Sequence, residues 1–207
     1  MKLFLVRHAE SELNKTTVHQ YPHTKLSKTG LQQAERLARR LSGFRADMVI
    51  CSKYTRAMQT AKIINSVLKK RIIYTKMLNE LKHPTELEGS EQGSRLSVRI
   101  SKEMLEHIND PDWHYSDEEN LFDFNRRAKS FMKYLVRKNK EDIIVVTHGH
   151  FICMLLFIVL FGDRTDISEF YNFVRAVRID NTGITECEFA EGRWRIMRLN
   201  DHAHLHG

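Results

Sequence analysis

The sequence LFLVRH, residues 3–8, ends an apolar run on an arginine and a histidine. A run that lacks alternating polar residues is typical of a strand covered on both faces, as in a parallel sheet. The same pattern recurs in IIVVTHGH, residues 143–150. We therefore expect Arg7, His8 and His148 at the carboxyl ends of two buried strands, which is where open α/β sheets bind ligands.

Strand and helix patterns alternate along the first half of the chain. The predicted elements are strands at Leu3–Val6, Met48–Cys51 and Arg71–Thr75, and helices at about 27–42 and 53–68. Ser27 is the predicted N-cap of the first helix. Because this order is typical of right-handed βαβ units, the predicted fold class is α/β, a three-layer α/β/α sandwich around a mostly parallel sheet.

The second half of the chain begins with a weaker pattern and ends in strands. The predicted elements are helices at Ser94–Ile108, Phe124–Leu135 and Phe151–Phe161, and strands at Ile143–Val146, Val174–Ile179, Ile184–Phe189 and Trp194–Met197. A turn at Glu191-Gly192 predicts an antiparallel hairpin. Residues 84–120 form an excursion, which either only closes the surface or is a lid that selects substrates. We expect one domain over residues 1–207.

Composition narrows the classes of partner. The net charge of +7 suits either solubility or a field that attracts anions, and the scattered lysines and arginines do not predict a nucleic-acid partner. Cys51, Cys153 and Cys187 are odd in number and lie in or beside apolar runs, which indicates reduced, buried thiols. The apolar run 151–161 is too short to span a bilayer, so we expect no membrane association and a cytoplasmic protein. The sequence carries no signal for an oligomeric state.

Three predicted strand ends carry groups suited to phosphate. Arg7 and His8 end the first strand, Arg56 follows the second within one helical turn, and His148 ends the fourth. Each residue alone is more often structural, but together they form a site in which arginine forks hold a phosphate dianion. A neutral imidazole can then attack phosphorus, and the positive groups make Mg²⁺ unnecessary.

The leaving oxygen of such a reaction needs a proton. Glu80 follows the third strand and is the first candidate for the donor. Three other glutamates remain alternatives on physical grounds: Glu10, Glu86 and Glu88.

Five motifs in order resemble those of the histidine phosphatase superfamily, which has the phosphoglycerate mutase-like fold. They are RHAES at 7–11 with Asn14, LSKTGLQQA at 26–34, SKYTRAMQTA at 52–61, LNE at 78–80 and THG at 147–149. The segment from Glu119 to Arg127, with Phe131, adds to the resemblance. One such motif is weak, whereas five in order are specific.

The resemblance implies a phosphomonoesterase that needs neither metal nor cofactor and acts on a small phosphorylated metabolite. His8 would form a phosphohistidine, and Glu80 would protonate the leaving oxygen and then activate water. The implied phosphate-binding residues are Arg7, Asn14, Arg56, His148 and the backbone of Gly149. A phosphoglycerate mutase and a non-catalytic module that binds a phospho-ligand are the alternatives.

The sequence also departs from the family at positions on the substrate side. His150 stands where many members have glycine, and His19, Tyr21 and His23 occupy the loop 15–25 in place of a glycine-rich, arginine-bearing stretch. Lys82-His83-Pro84 replaces another common segment, which leaves His83 and Glu86 as alternatives to Glu80 for the acid. The substrate therefore does not carry over from the family. The terminal His202, His204 and His206 could bind Zn²⁺, but a loosely packed tail is the preferred interpretation.

Overall fold

A six-stranded sheet forms the centre of the protein, whose computed structural model describes residues 1–138, 142–162 and 166–206. Its strands are β1 (Lys2–Arg7), β2 (Met48–Ser52), β3 (Arg71–Thr75), β4 (Ile143–Thr147), β5 (Ile184–Ala190) and β6 (Arg193–Asp201). The strand order is β3-β2-β4-β1-β5-β6, in which the first four are parallel. β5 is antiparallel to β1, and β6 is antiparallel to β5. The predicted mostly parallel sheet and its terminal hairpin are confirmed.

Helices cover both faces of the sheet. They are α1 (Lys28–Leu41), α2 (Thr55–Leu68), α3 (Arg95–Glu106), α4 (Leu121–Arg137), α5 (Gly149–Phe161) and α6 (Phe170–Ala176). Alternate β1 side chains belong to separate cores: Leu3 and Leu5 pack with α4 and α5, whereas Phe4 and Val6 pack with α1 and α2. Because both faces are covered, polar and apolar residues do not alternate along β1 and β4. The predicted three-layer α/β/α architecture is confirmed.

Strand register brings the predicted site residues together. Arg7 of β1 pairs with Thr147 of β4, and Cys51 of β2 pairs with Val146 of β4. The carboxyl ends of β2, β4 and β1 are therefore neighbours, in that order. Residues that immediately follow these strands, such as His8 and His148, emerge at one edge of the sheet.

One predicted strand, Val174–Ile179, is wrong. Its first part belongs to the helix α6, and the residues after Ala176 form no strand. The apolar residues Phe170, Phe173, Val174 and Val177 recur at intervals of three and four, which places them on one helical face against the core around α5. The β-branched valines suggested a strand, but the wider periodicity is helical.

The excursion contains the predicted helix. α3 begins after Ser94, whose side chain accepts a hydrogen bond from the Ser97 N–H, and this N-cap fixes the helix start. Leu87 and Ile100 are the apolar residues that the segment 84–120 buries. The rest of α3 exposes apolar side chains such as Val98 and Leu105.

The described part of the chain contains no helix that combines the length and apolarity needed to cross a bilayer. Cys51, Cys153 and Cys187 are all buried with free thiols. Burial raises the pKa of the Cys153 and Cys187 thiols to about 12 in each case, which opposes any nucleophilic role for them.

Candidate active site

A cavity of about 430 Å³ opens where β1, β2 and β4 end. Arg7, His8 and Arg56 line its floor, and His148 lies beneath it with its ring centroid 5.0 Å from that of His8. His8, Arg56 and His148 are buried. The structure thus brings together the four side chains that the strand-end pattern predicted to converge.

His8 is held in one tautomer. Its Nδ1 lies 2.7 Å from the Ala9 carbonyl oxygen, which can only accept, so Nδ1 carries the hydrogen. The Nε2 lone pair accepts a hydrogen bond from Arg56 Nε at 3.1 Å. Burial, followed by the charges of Arg56, His148 and Arg7, holds the pKa of His8 well below its ordinary value. His8 is therefore a neutral imidazole whose Nε2 faces the cavity's cations, which is the form needed for attack on phosphorus.

The two arginines of the floor are fixed through their remaining donors. Arg56 Nη1 donates to the Tyr21 carbonyl oxygen at 3.0 Å, and Arg7 Nη1 donates to the Ile179 carbonyl oxygen at 2.5 Å. Burial lowers the pKa of Arg56 to about 10, so it remains a cation at neutral pH. Arg7 Nε is buried and has no partner among the described residues. It is a donor available to an anion in the cavity.

His148 has an oriented ring with one unpaired nitrogen. Ser52 Oγ donates to Asn79 Oδ1 at 3.0 Å, so its lone pair accepts from His148 Nε2 at 2.8 Å. His148 Nδ1 is buried and, within the described chain, has no partner. Burial and the charge of Arg56 hold the pKa of His148 well below its ordinary value. Protonation of His148 thus requires a nearby dianion, and the added proton would then be on Nδ1.

Asn14 and Gly149 both line the cavity, as predicted. Asn14 Oδ1 accepts from the Ser11 N–H at 2.7 Å and from Asn181 Nδ2 at 3.4 Å, so its amide NH₂ is the end that can face a ligand. Asn181 Nδ2 also donates to the His8 carbonyl oxygen at 2.9 Å. Asn181 lies far along the chain between α6 and β5, and no sequence pattern predicts this contact.

Glu80 lines the same cavity and is anchored at the N-terminus of α5. Its Oε1 accepts from the N–H groups of Leu81 and Phe151, both at 3.1 Å, and its Oε2 accepts from the His150 N–H at 3.2 Å. Burial alone would raise the pKa of Glu80, but His150, the charge of His148 and the Leu81 N–H outweigh it and hold the pKa well below its ordinary value. The predicted role as proton donor requires a neutral carboxylic acid, which these contacts disfavour.

The other candidate acids differ in whether they line the cavity. Glu10 accepts from Ser27 Oγ at 2.6 Å and pairs with Lys15 at 3.1 Å, away from the residues that line the cavity. Glu86 is exposed and is also absent from the described lining, whereas Glu88 and His83 belong to it. The side chain of His83 is exposed, and the cavity groups beside it, among them His150 and His19, lower its pKa from the ordinary value.

Arg127 of α4 holds the loop that carries Glu80. Its Nη1 donates to the carbonyl oxygens of Met77 and Asn79, each at 2.8 Å, and its Nη2 reaches the Glu80 carbonyl oxygen at 3.3 Å. Glu119 binds the same guanidinium through Nε at 2.7 Å and Nη2 at 2.6 Å. In the sequence, Arg127 and Glu119 were indicated only by the family resemblance, which did not predict that they fix the Glu80 loop.

Two loop segments, residues 13–22 and 81–92, form what we call the outer wall of the cavity. They are joined by backbone hydrogen bonds from the His19 N–H to the Ser90 carbonyl at 2.9 Å and from the Gly89 N–H to the His19 carbonyl at 3.0 Å. Gly89 has a φ of 77°, and a Cβ there would lie 1.7 Å from the Tyr21 hydroxyl. The departures at His19, Tyr21 and His83 thus lie beside the site, while His23 stacks on Tyr21.

Comparison with known proteins identifies the family. Residues 3–202 match the histidine phosphatase superfamily, branch 1. The chain belongs to this superfamily. The family resemblance predicted from the five motifs is therefore confirmed.

Two curated relatives of this histidine phosphatase cover three quarters or more of its length. Phosphoserine phosphatase 1 of Hydrogenobacter thermophilus is 29% identical over 211 residues, which cover 99% of this chain and 94% of the relative. The adenosylcobalamin/alpha-ribazole phosphatase of Escherichia coli is 27% identical over 163 residues, covering 75% and 77%. Together with the family match, these phosphatases identify the chain as a hydrolytic phosphatase that acts on a phosphorylated substrate.

Solved structures support the fold. A phosphoserine phosphatase from Entamoeba histolytica, in complex with phosphoserine, has a TM-score of 0.79 at 23% identity and covers 99% of this chain and 98% of its own. The alpha-ribazole phosphatase from Shigella flexneri has a TM-score of 0.80 at 22% identity, covering 98% and 97%. The phosphoglycerate mutase-like fold is confirmed.

The terminal histidines pack against the protein. His202 Nδ1 lies 2.8 Å from the Asn200 carbonyl oxygen, and His204 Nε2 lies 3.0 Å from Thr182 Oγ1. Over residues 1–138, 142–162 and 166–206, no group of three or more His, Cys, Asp or Glu side chains is arranged to hold a metal ion. The zinc alternative for this tail therefore gains no support from its geometry.

Proposed function

We propose that this phosphatase is a metal-independent phosphomonoesterase that works through a phosphohistidine on His8. In the first half-reaction His8 Nε2 attacks phosphorus, and the bond to the leaving oxygen breaks. In the second, water attacks phospho-His8 and releases phosphate. Arg7, Arg56 and His148 hold the phosphoryl oxygens, with Asn14 and the Gly149 backbone as further contacts.

The observation that carries the proposal is the state of the floor around His8. One nitrogen of His8 is fixed as a donor to a carbonyl, and the other is a lone pair beside the Arg56 guanidinium. Arg7 Nε and His148 Nδ1 are buried without partners among the described residues. A phosphoryl group accepts hydrogen bonds on every oxygen. It would accept from Arg7 Nε, and from His148 Nδ1 once its negative charge has protonated that ring, while its phosphorus faces the nucleophile.

We propose a small phosphorylated metabolite as the substrate. The cavity, at about 430 Å³, has the volume of a small-molecule site. The relatives described above support this class, since they include phosphoserine and alpha-ribazole phosphatases. The outer-wall histidines, at positions that depart from the family, are the residues on which we expect the choice among such metabolites to depend.

Turnover of a panel of phosphorylated metabolites in the presence of a chelator tests the proposal. The expected result is release of phosphate at an undiminished rate with chelator, with a preference for one small ester. A requirement for Mg²⁺ would contradict the metal-independent mechanism. Interconversion of 2- and 3-phosphoglycerate in place of hydrolysis would indicate a mutase.

A further inference from the structure

The 179–183 loop, between α6 and β5, holds the end of β1 from one side. The Thr182 N–H donates to the Arg7 carbonyl oxygen at 3.0 Å, and the Arg7 N–H donates to the Gly183 carbonyl oxygen at 3.3 Å. The Ile179 carbonyl oxygen accepts from Arg7 Nη1 at 2.5 Å. The loop therefore fixes both the backbone and the guanidinium of Arg7.

Asp180 of this loop also acts on Arg7 through its charge. Burial lowers the pKa of Arg7, whereas the charges of Glu80 and Asp180 oppose that decrease. Burial alone would raise the pKa of Asp180, but hydrogen bonds from Asn200 and Arg178 outweigh it and hold that pKa below its ordinary value. The Asp180 carboxylate thus helps to stabilise the Arg7 cation, and Asn200 helps to stabilise that carboxylate.

Asn200, near the end of β6, binds the 179–183 loop with both ends of its side-chain amide. Its Oδ1 accepts from the Asp180 N–H at 2.8 Å, and its Nδ2 donates to Asp180 Oδ2 at 2.8 Å. The Asn200 N–H donates to Thr185 Oγ1 of β5 at 3.1 Å. A Cβ on Gly183 would lie 2.1 Å from Asn200 Oδ1, so the loop packs directly against the amide. Asn200 thus joins the last strand to this loop.

His204 makes a second contact with the loop. The Thr182 hydroxyl donates to the Asn181 carbonyl oxygen at 2.6 Å, so its lone pair accepts from His204 Nε2 at 3.0 Å. Thr182 is fully buried and has a φ of 60°. This conformation is unusual for a β-branched residue and persists only where the surroundings hold it. His204 therefore supports the residue whose N–H binds the Arg7 carbonyl.

We propose that Asn200 and His204 are positioning residues for phosphate binding, which act on Arg7 through the 179–183 loop. This inference rests on the proposed function, in which Arg7 holds a phosphoryl oxygen. Asn200 and His204 lie outside the residues described as lining the cavity, so they act through Arg7 and not on the substrate. The C-terminal tail, which the sequence predicts to be loosely packed, is in this account a support of the active site.

The geometry of a guanidinium explains why this support matters. Its donors lie in one rigid plane, so a small rotation displaces all of them together. The Ile179 carbonyl binds Arg7 Nη1, while Arg7 Nε is buried and has no partner among the described residues. If the 179–183 loop shifts, the donors that face the phosphate shift with it. A displacement of about 1 Å can lower a rate by about 10²-fold.

Asn200→Gly removes the amide without straining the backbone. Asn200 has a φ of 51°, a conformation that glycine adopts without steric cost. We expect kcat/KM for p-nitrophenyl phosphate to fall by about 10-fold or more, and the inhibition constant of inorganic phosphate to rise by about 10-fold. Steady-state kinetics with phosphate as a competitive inhibitor measure both values.

His204→Ala is the milder variant, since it removes one hydrogen bond to the loop where Asn200→Gly removes two. We expect the phosphate inhibition constant to rise by about 3–5-fold. If Asn200→Gly does not fold, His204→Ala provides the same test.

Two matched controls come from the same part of the chain. Glu191 also has a positive φ, of 54°, but lies in the exposed turn between β5 and β6, so Glu191→Gly repeats the backbone change away from the loop. His206 is exposed and packs against the His202 ring, and His206→Ala repeats the loss of an imidazole from the tail. Both variants should keep the phosphate inhibition constant within about 2-fold of the wild-type value.

The phosphate inhibition constant separates positioning from loss of folded protein. A partly unfolded variant has a lower kcat, but its folded molecules bind phosphate as before, and circular dichroism reports the folded fraction. A double-mutant cycle with Arg7→Lys tests the route, because lysine lacks the guanidinium plane that the loop orients. In the Arg7→Lys background, Asn200→Gly should change the phosphate inhibition constant by less than about 2-fold. His204→Ala should do the same.

Four outcomes would overturn the inference. An unchanged phosphate inhibition constant in both tail variants, with or without a lower kcat, would make the tail structural only. An equal rise in the wild-type and Arg7→Lys backgrounds would show that the tail does not act through Arg7. An equal rise in Glu191→Gly or in His206→Ala would show that the effect is not specific to the loop contacts.

Failure of the proposed function gives a different result. In that case the wild-type protein itself would neither hydrolyse p-nitrophenyl phosphate nor bind inorganic phosphate. If the wild-type protein does both and the tail variants match it, only the inference on Asn200 and His204 fails.

Discussion

His8 and His150 face one cavity from neighbouring strand ends, but their partners have opposite charge. His8 accepts from Arg56 Nε at 3.1 Å, and cations surround it. His150 lies 3.6 Å from the Glu80 carboxylate. The pKa of the same side chain is therefore lowered in one place and raised in the other. The difference shows that neighbouring charges shift the pKa of an imidazole in this cavity in opposite directions.

Removal of His8 is expected to have the largest effect on activity. We expect His8→Ala to lower kcat for p-nitrophenyl phosphate by at least about 10⁴-fold, because the nucleophile is lost and no described neighbour can take its place. Steady-state kinetics with chelator present, together with circular dichroism to confirm folding, provide the measurement. Retention of a tenth of the wild-type rate would be incompatible with His8 as nucleophile.

Removal of the Arg56 charge tests why His8 is neutral. Arg56→Gln should lower kcat by about 10²–10³-fold, since one preorganised donor to the phosphoryl group is lost. It should also raise the pKa of His8, which Arg56 lowers. Because attack needs neutral His8, the acidic limb of kcat/KM is expected to move to higher pH. A pH profile checks this, and a limb that stays in place would show that Arg56 does not govern the pKa of His8.

Arg127→Lys tests the support of the loop that carries Glu80, the carboxylate beside His150. Lysine keeps the charge but cannot bind three carbonyls and Glu119 at once, so the Glu80 loop should loosen. We expect about a 10-fold loss of kcat and a decrease of about 2–4 kcal/mol in the free energy of unfolding. Urea unfolding and kinetics measure both.

Arg126→Lys is the control for this change, since Arg126 is the adjacent residue, is exposed and pairs with Asp123 at the surface. Its effect on the free energy of unfolding should stay within about 0.5 kcal/mol. Equal effects of the two substitutions would remove Arg127 from the account of the site.

The smallest expected effect concerns the backbone of His8. Asn181→Ala removes the hydrogen bond to the His8 carbonyl oxygen and the contact with Asn14. Loss of one such bond corresponds to about 1 kcal/mol, or about 5-fold in kcat/KM. Kinetics on p-nitrophenyl phosphate check the value, and an unchanged rate would show that His8 is fixed by Ala9 and Arg56 alone.

The positions of Arg7, His8 and His148 in the cavity could be predicted from the sequence because the end of a buried strand is a local signal. Apolar runs that stop on Arg7-His8 and on His148 specify both a buried strand and the position of its polar end. Parallel pairing then makes those ends neighbours, and the register of β1, β4 and β2 confirms it. The same local signal located β5 and β6, whose turn at Glu191-Gly192 joins them.

The hydrogen bonds that surround Glu80 could not be predicted in the same way because they depend on contacts between distant segments. Glu80 is bound by N–H groups of α5, and Arg127 reaches its loop from α4. No spacing in the sequence encodes these contacts. His150 was visible only as a departure from the family pattern. The wrong strand at Val174–Ile179 had a related cause, since its valines packed as one face of α6 and not as a strand.

Rapid quenching in alkali during the first turnover tests the central claim most directly. Alkali is the suitable quench because phosphohistidine is labile in acid. We expect the peptide that contains His8 to carry one phosphoryl group in the wild-type protein, and to carry none in His8→Ala incubated in the same way. A phosphoryl group on another residue, or hydrolysis with inversion at phosphorus and no phosphoenzyme, would contradict the account.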